Sequence, residues 1–371
     1  MKQLVKLKDI ASYSKGTQIN GEELIDEAEF DYLNGGINPS GKWNEANCEG
    51  NTITISEGGN SCGYINFMRK SFWCGAHCYY LYDTVKNTQY LYYALKSQQD
   101  KIMKLRSGAC MPNIKKVDLG NFEFWYDNDI NEQERITTIL SKLESVIELR
   151  KQELSFFDLI ISARFVEMFG NPDVNEYNWG IYKMEELCDI GSSKRIYQNE
   201  QSRIGIPFLR ISDLVNRMET GSKESDLYIP ESRFEELKKQ GLVPKSGDIL
   251  LTARGTLGRC YIIQDDDEFY FQDGMITWLS KYDAKVIPLY ISYLFEMPGF
   301  RKQIDSLQAG STVAYLSIYM TKKLDIMLPP IELQNQFADF VKHVDKSKVA
   351  VEKALEETQL LFDSLMQQYF G

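Results

Sequence analysis

Between residues 136 and 168, apolar side chains recur in alternating steps of four and three, a heptad seam. It runs through Ile136, Leu140, Leu143, Ile147, Leu154, Phe157 and Ile161, with Arg150 and Arg164 as interruptions. A shift of 201 residues brings the same spacing back at Phe337, Val341, Val344, Val351, Leu355, Phe362 and Leu365, interrupted at Lys348 and Thr358. Two long helices are therefore expected, over 130–170 and 331–371. Asn131 followed by Glu134 resembles a capping box for the first. Pro329-Pro330 can open the second, where a missing N–H costs nothing. Gly170 followed by Asn171-Pro172 should close the first.

The segments before each helix also repeat. KLKDIASYSKG near the start is echoed by KMEELCDIGSSK at 183–194, and NTITISEGGNSCGYI (51–65) by GDILLTARGTLGRCYI (247–262). The second pair reads as a β-rich run, a small-residue turn and another strand. QYLYYALKSQQDKIMKLRSGA (89–109) is echoed by LYISYLFEMPGFRKQIDSLQAGS (289–311), each an aromatic-rich helix followed by a glycine turn and a short polar loop. The fold class expected is α+β: two similar mixed α/β domains, 1–129 and 171–330, separated by helices over 130–170 and 331–371.

The first helix must leave one domain and arrive at the other, and the natural course of the second is back again. Pairing the seams gives an antiparallel two-helix coiled coil with a pseudo-twofold axis. At 1.5 Å of rise per residue, roughly 35 residues hold the domains about 50 Å apart. B-DNA advances about 34 Å per turn, so such a pair suits a bipartite DNA target with an unread spacer. A coiled-coil interaction scaffold without DNA contact is the plainer reading of the heptads, but it has no need of two related aromatic-rich heads.

Composition modifies this picture. The net charge of −11 excludes a nucleic-acid binder that works by bulk charge, and none of the four segments is basic. DNA contact would need a local basic face, with acidic residues turned elsewhere or onto a partner. The seven cysteines are scattered with no disulfide framework, the N-terminus lacks the apolar core of a signal peptide, and no apolar run approaches a membrane span. A cytoplasmic location is expected. Cys74, His77 and Cys78, with Cys62 nearby, lack the paired C-x2-C knuckles of a zinc site, so buried thiols are the better reading and no metal is expected. There is no P-loop, Gly255-Thr-Leu-Gly258 is too short for a dinucleotide loop, and Asn171-Pro172-Asp173-Val174 matches an amino-methyltransferase motif at only two of four positions. His77 and His343 are the only histidines. A catalytic site in this chain is not expected. The rival enzyme reading, a self-contained DNA methyltransferase or nuclease, would have to bind S-adenosylmethionine.

Together these features resemble the specificity subunit of type I restriction-modification enzymes. The resemblance covers essentially the whole chain and is sharpest in GSTVAYLSIYMTKKLDIMLPPIELQNQFADFV (310–341), DINEQERITTIL (129–140), MFGNPDVNEYNW (168–179), IPFLRISDL (206–214) and GDILLTARGTLGR (247–259). The first repeat departs from the pattern, with FWYDNDINEQ where the family usually has a proline step. The resemblance implies two target-recognition domains, each reading half of an asymmetric site in double-stranded DNA. It also implies helices that dock two methyltransferase subunits and, through them, restriction subunits. No cofactor is then expected in this chain, and S-adenosylmethionine, ATP and Mg belong to those partners.

Candidate DNA contacts in the second domain centre on the loop Thr252-Ala253-Arg254-Gly255-Thr256-Leu257-Gly258-Arg259. Its glycines let backbone N–H groups approach phosphate, and its arginines can clamp phosphate or bond guanine in bidentate fashion. A plain β-turn with solvated arginines is the alternative. The resemblance places Arg210 and Ser212 near the same face. Gln272 can pair with adenine, and Ser311 and Thr312 offer hydroxyls to phosphate. In the first domain the equivalents are Asn60, Ser61 and Tyr64. The loop carrying Asn34, Lys42 and Trp43 is a candidate reader or a structural Ω-loop anchored by its tryptophan. Arg69, Lys70, Arg106 and Asn113 complete a basic edge.

Overall fold

Two unbroken helices of 40 residues each, Ile130–Phe169 and Ile331–Phe370, fall where the two seams place them. The computed structural model describes residues 2–84, 87–108, 112–308 and 314–371. It divides into two units, Met1–Gln152 with Val351–Gly371, and Glu153–Ala350. The division falls inside both helices, so each unit holds one half of each.

In the first unit a four-stranded antiparallel sheet has the order Ser12–Lys15, Cys78–Tyr82, Thr52–Ser56, Ile65–Met68. A three-stranded sheet has the order Gly41–Trp43, Phe30–Leu33, Phe72–Cys74, its last pair parallel. Lys2–Lys6 pairs with Glu123–Asp127. The second unit repeats this strand for strand. Asp189–Gly191, Ile276–Ser280, Ile249–Thr252 and Cys260–Ile262 form the larger sheet. Tyr228–Ile229, Ile206–Leu209 and Tyr270–Phe271 form the smaller one, again with a parallel pair. Gly180–Lys183 pairs with Asp325–Leu328. The second unit adds helices Ile211–Thr220 and Glu231–Lys239 beside its smaller sheet. The duplication seen in the sequence is thus a duplication of topology.

The aromatic segment after the larger sheet is two helices in each unit, not the single helix expected. They are Thr88–Lys96 and Gln99–Met103, then Pro288–Glu296 and Pro298–Leu307. In the second copy Pro298 forces the break, because the residue before a proline is pushed out of the helical region and Met297 is extended. In both copies the first helix buries a tyrosine. Tyr90 meets Tyr126 and Phe370 with ring centres 5.3 and 5.2 Å apart. Tyr290 lies among Phe165 and Phe169 and donates to the Met327 carbonyl at 2.6 Å.

Within each unit the helix halves run antiparallel. In the first, Ile136 and Leu140 share a core with Met366 and Phe370, and Arg135 lies over the Tyr369 ring. In the second, Ile161 shares a core with Phe337, Val341 and Val344. Each polar interruption of the seams finds a partner, and two of them meet each other. Arg150 donates to Thr358 Oγ1 and to the Ala354 carbonyl, Lys348 pairs with Asp158, and Arg164 binds Glu167 at 2.8 Å beneath the Phe340 ring. At its end the buried face leaves the heptad phase. Phe165 and Phe169 are fully buried where the seam predicts 164 and 168, and Met366 and Phe370 repeat this in the second copy. Steps of four suit that stretch because it turns toward its own unit's domain core as well as the partner helix.

The second helix opens directly after Pro329-Pro330 as expected, but the first differs from the expected cap. Asn131 already lies inside the first helix, and Asp129 Oδ1 accepts from Asn131 N at 3.0 Å and Glu132 N at 3.4 Å. Buried glutamines then tie each start to the segment before it. Gln133 donates to the Asp127 carbonyl at 2.6 Å, and Gln334 to the Pro329 carbonyl at 2.8 Å. Gly170 closes the first helix as expected, at φ +81° with its N–H on the Val166 carbonyl at 2.8 Å.

Candidate nucleic-acid interface

Each larger sheet carries a hairpin loop built on one plan. The strand ends in a buried hydroxyl residue, Ser56 or Thr252, and a glycine closes the loop. Gly63 N bonds the Ser56 carbonyl at 2.8 Å, and Gly258 N bonds the Thr252 carbonyl at 2.9 Å. Both glycines have positive φ and sit where a Cβ would crowd the following helix pair, Met103 in one unit and Ile304 in the other. A later loop docks on the residue after the hydroxyl. Ile114 N bonds the Glu57 carbonyl at 2.9 Å, and Leu316 N bonds the Ala253 carbonyl at 3.0 Å. Two loops therefore meet at one corner of each unit.

In the first unit this corner is a cleft of about 750 Å³ lined by Lys15, Asn34, Glu57, Ser61, His77 and Asn113, with glycines at 35, 36, 58 and 59. Lys15 Nζ lies 2.6 Å from Glu57 Oε1, and His77 Nδ1 lies 3.5 Å from Glu57 Oε2. Ser61 Oγ donates to the Gly35 carbonyl at 2.5 Å, and Asn34 Oδ1 accepts from His77 N at 3.1 Å, so the loops brace one another. Burial and the neighbouring Glu57 carboxylate push the Tyr79 hydroxyl up to about 12. Burial pushes the Cys62 thiol above its ordinary range, and it donates to the Glu57 carbonyl at 3.0 Å.

In the second unit the corner presents Arg254, exposed and stacked on Tyr315. Among the described residues Arg254 has no carboxylate partner, whereas most cations of this unit do. Arg195 pairs with Asp273 at 2.8 Å, Arg233 with Glu200 at 2.9 Å, Lys281 with Asp189 at 2.7 Å and Lys323 with Glu185 at 2.6 Å. Carboxylates consumed in this way reconcile an acidic chain with locally uncompensated arginine.

A family model described as type I restriction modification DNA specificity domain matches residues 2–155 and 176–359, one stretch for each copy of the repeat. The chain belongs to this family. A putative type I restriction enzyme specificity subunit of Haemophilus influenzae is 26% identical over 334 residues, 86% of this chain and 81% of that one. The crystal structure of a type I restriction-modification S subunit from M. genitalium matches all of this chain and 96% of its own, with TM-score 0.64 at 20% identity. A structure described as bearing on complex assembly and conformational transition of the type I restriction-modification system matches 99% of this chain and 97% of its own, with TM-score 0.55 at 13% identity. The contribution of this specificity family to restriction-modification is recognition of DNA sequence.

Within this specificity fold the expected contact residues part company. Asn34, Ser61 and Asn113 meet in the first cleft. Arg106 and Lys42 are exposed, and among the described residues neither has an ion-pair partner. Trp43 ends a strand paired with Phe30–Leu33 and meets the Trp73 ring edge-on, so its loop is a hairpin and not an Ω-loop. Tyr64 lies under the Lys96 ammonium, 3.9 Å from its ring centre. Arg69 is held by Glu144 of the long helix at 2.9 Å. Arg210 is clasped by Asp213 at 3.0 Å and Asp226 at 3.3 Å, which holds its guanidinium above the usual range, Asp213 contributing most. Ser212 bonds Asp213 as well, and Arg259 pairs with Glu219 at 2.6 Å.

Thr252 requires correction. It is 0% exposed, its hydroxyl donates to the Thr256 carbonyl at 2.5 Å and accepts from Arg259 N at 2.9 Å, so it clasps the loop from inside. Thr256 itself is exposed at the loop tip. Gln272 is half-buried and its backbone N–H bonds the Leu209 carbonyl at 2.9 Å. Ser311 and Thr312 lie outside the described residues. Cys48, Cys74 and Cys78 form a buried cluster with Leu33 and Phe72, as thiols in an apolar core. Lys15, Glu57 and Tyr315 were not among the candidates. Each lies in a segment singled out above, KLKDIASYSKG, NTITISEGGNSCGYI or GSTVAYLSIYM, but only the repeat or the family resemblance marks it there.

Proposed function

We propose that this chain reads a bipartite target in double-stranded DNA, one half-site per unit, and brings two methyltransferase subunits to it while catalysing no reaction itself. Restriction subunits join through those partners, and S-adenosylmethionine, ATP and Mg act on the partner chains. The observation that carries the reading is one loop scaffold, built twice, bearing different side chains. Gly58 and Asn113 in the first unit stand where the second has Arg254 and Tyr315. Equal scaffolds with unequal tips suit two different half-sites, since base edges are distinguished by the donors and acceptors set against them.

Duplicated docking has support of its own. Leu159 and Ile160 in the second unit are 62% and 47% exposed, and Leu360 and Leu361, at the offset of 201, are 63% and 49% exposed in the first. Paired apolar residues left in water on both copies are the expected mark of two equivalent partner contacts. Mapping methylated motifs genome-wide with and without the gene tests the whole reading. The expected result is loss of one asymmetric bipartite motif, and an unchanged methylome in a strain that expresses the chain would overturn it. A gel shift across a salt series, run with the methyltransferase partner present, should show sequence-specific retention. Retention indifferent to sequence would reduce the chain to a scaffold.

A further inference from the structure

The cluster Lys15, Glu57 and His77 in the first unit's cleft has no charged counterpart in the second. Lys15 is opposite Tyr79, and in the second unit the register ends at Gly191 opposite Trp278, which sets Ser192, the next residue, at the equivalent position. Glu57 N bonds the His77 carbonyl at 2.9 Å, and Ala253 N bonds the Met275 carbonyl at 2.9 Å. Ser192, Ala253 and Met275 thus occupy the three equivalent positions, the last two joined by the same backbone bond as Glu57 and His77. The scaffold is satisfied by alanine at position 253, so a glutamate at 57 is not demanded by the fold.

A carboxylate is an unexpected group to set in a cleft that faces DNA, since it repels phosphate. Its side chain is 12% exposed, with Oε1 held by Lys15 at 2.6 Å. His77 Nδ1 stands 3.5 Å from Oε2, beyond a good hydrogen bond, so that oxygen keeps its capacity to accept. What an acceptor-only group matches on a base edge is an amino donor. Cytosine presents its N4 amino group with no acceptor beyond it on the major-groove side, while adenine sets the N7 lone pair beside its amino group, where the second carboxylate oxygen would be repelled. We propose that Glu57 is a specificity-determining residue for the half-site read by the first unit, accepting a hydrogen bond from cytosine N4 while Lys15 fixes the carboxylate and offsets its charge.

This rests on the DNA reading of the two corners, and the test separates the two. Glu57→Ala, Glu57→Gln and Arg254→Ala chains are each assembled with the methyltransferase partner, and their methylated motifs are mapped. Glu57→Ala should make one cytosine position of one half-site degenerate and leave the other half-site intact. Glu57→Gln, which carries both an acceptor and a donor, should shift that position toward adenine. On a duplex with 2-pyrimidinone, which lacks the amino group, in place of that cytosine, the unaltered complex should bind about tenfold more weakly or worse, and the Glu57→Ala complex equally to both duplexes. An unchanged motif with both Glu57 variants, beside an altered one with Arg254→Ala, would overturn the assignment of Glu57 alone. An unchanged motif with all three would overturn the DNA reading of the corners first. If Glu57→Ala does not fold, the isosteric Gln variant decides.

Discussion

Arg254 lies over the ring of Tyr315, its guanidinium carbon 5.4 Å from the ring centre. The ring face holds the planar cation by about 0.5–1 kcal/mol and leaves its N–H edges open, an arrangement suited to bidentate recognition of phosphate or guanine. Arg254→Ala should weaken specific DNA binding of the assembled complex by about 1–3 kcal/mol, read as a Kd ratio at fixed salt. Affinity and methylation pattern both unchanged would remove Arg254 from the interface.

Glu144 of the first long helix accepts from the Tyr93 hydroxyl at 2.8 Å and pairs with Arg69 at 2.9 Å. Tyr93 is fully buried, and among the described residues its hydroxyl's other hydrogen bond is a 3.4 Å one from Gln89. Glu144→Ala should therefore destabilise the first unit by about 1–3 kcal/mol, the cost of a poorly satisfied buried hydroxyl. Urea unfolding measures this, and a loss below about 0.5 kcal/mol would show that Tyr93 finds another partner.

Burial holds the Lys96 ammonium at about 8, below its ordinary 10.5, against a raising influence from Glu144. Between those two values the unfolded chain keeps a proton that the folded chain has lost, so this group's contribution makes stability rise with pH from about 8 to 10.5. Buried tyrosines pull the other way above 10, because the fold retains their protons, as with Tyr90 at about 12. The difference between the unaltered chain and Lys96→Met isolates the lysine. It should move in favour of the unaltered chain as pH rises from 8 to 10, and a flat difference would contradict the shift.

Each long helix passes through both units without a break, and Arg150 fixes their register by donating to Thr358 and the Ala354 carbonyl. Four residues added near Glu148, matched by four near Glu356, lengthen both helices by about 6 Å while keeping the pair in step. The expected outcome is a methylated motif with the same half-sites and a longer unread spacer. Altered half-site bases with unchanged spacing would refute the role of the helices as a ruler.

Thr252→Val removes the hydroxyl that joins the two sides of the second hairpin loop while keeping its volume. Leaving Arg259 N without its acceptor should cost about 1–2 kcal/mol in thermal or urea unfolding and weaken DNA binding through loss of loop order. Full stability in the variant would show that the clasp is dispensable.

The linear chain alone determined the two long helices, the duplication at a constant offset and the placement of a strand-turn-strand unit in each copy. Periodicity and repetition are properties of order along the chain, and the heptad spacing of Ile136, Leu140 and Phe337, Val341 already says which face is buried. Even the interruptions at Arg150 and Thr358 were visible, though not that they meet. What only the tertiary structure decided is which polar side chains remain available. Arg69 and Glu144 are 75 residues apart, and Arg259 and Glu219 are 40 apart, yet each pair is an ion pair that spends a cation the sequence offers as free. Thr252 reads as a loop hydroxyl and is clasped inside, while Lys15, Glu57 and His77, distant in sequence, share one cleft. Phe165 breaks the heptad phase because its stretch of helix also packs on its unit's own domain core. A side chain's exposure and charge balance depend on neighbours brought in by long-range folding, and no local pattern encodes them.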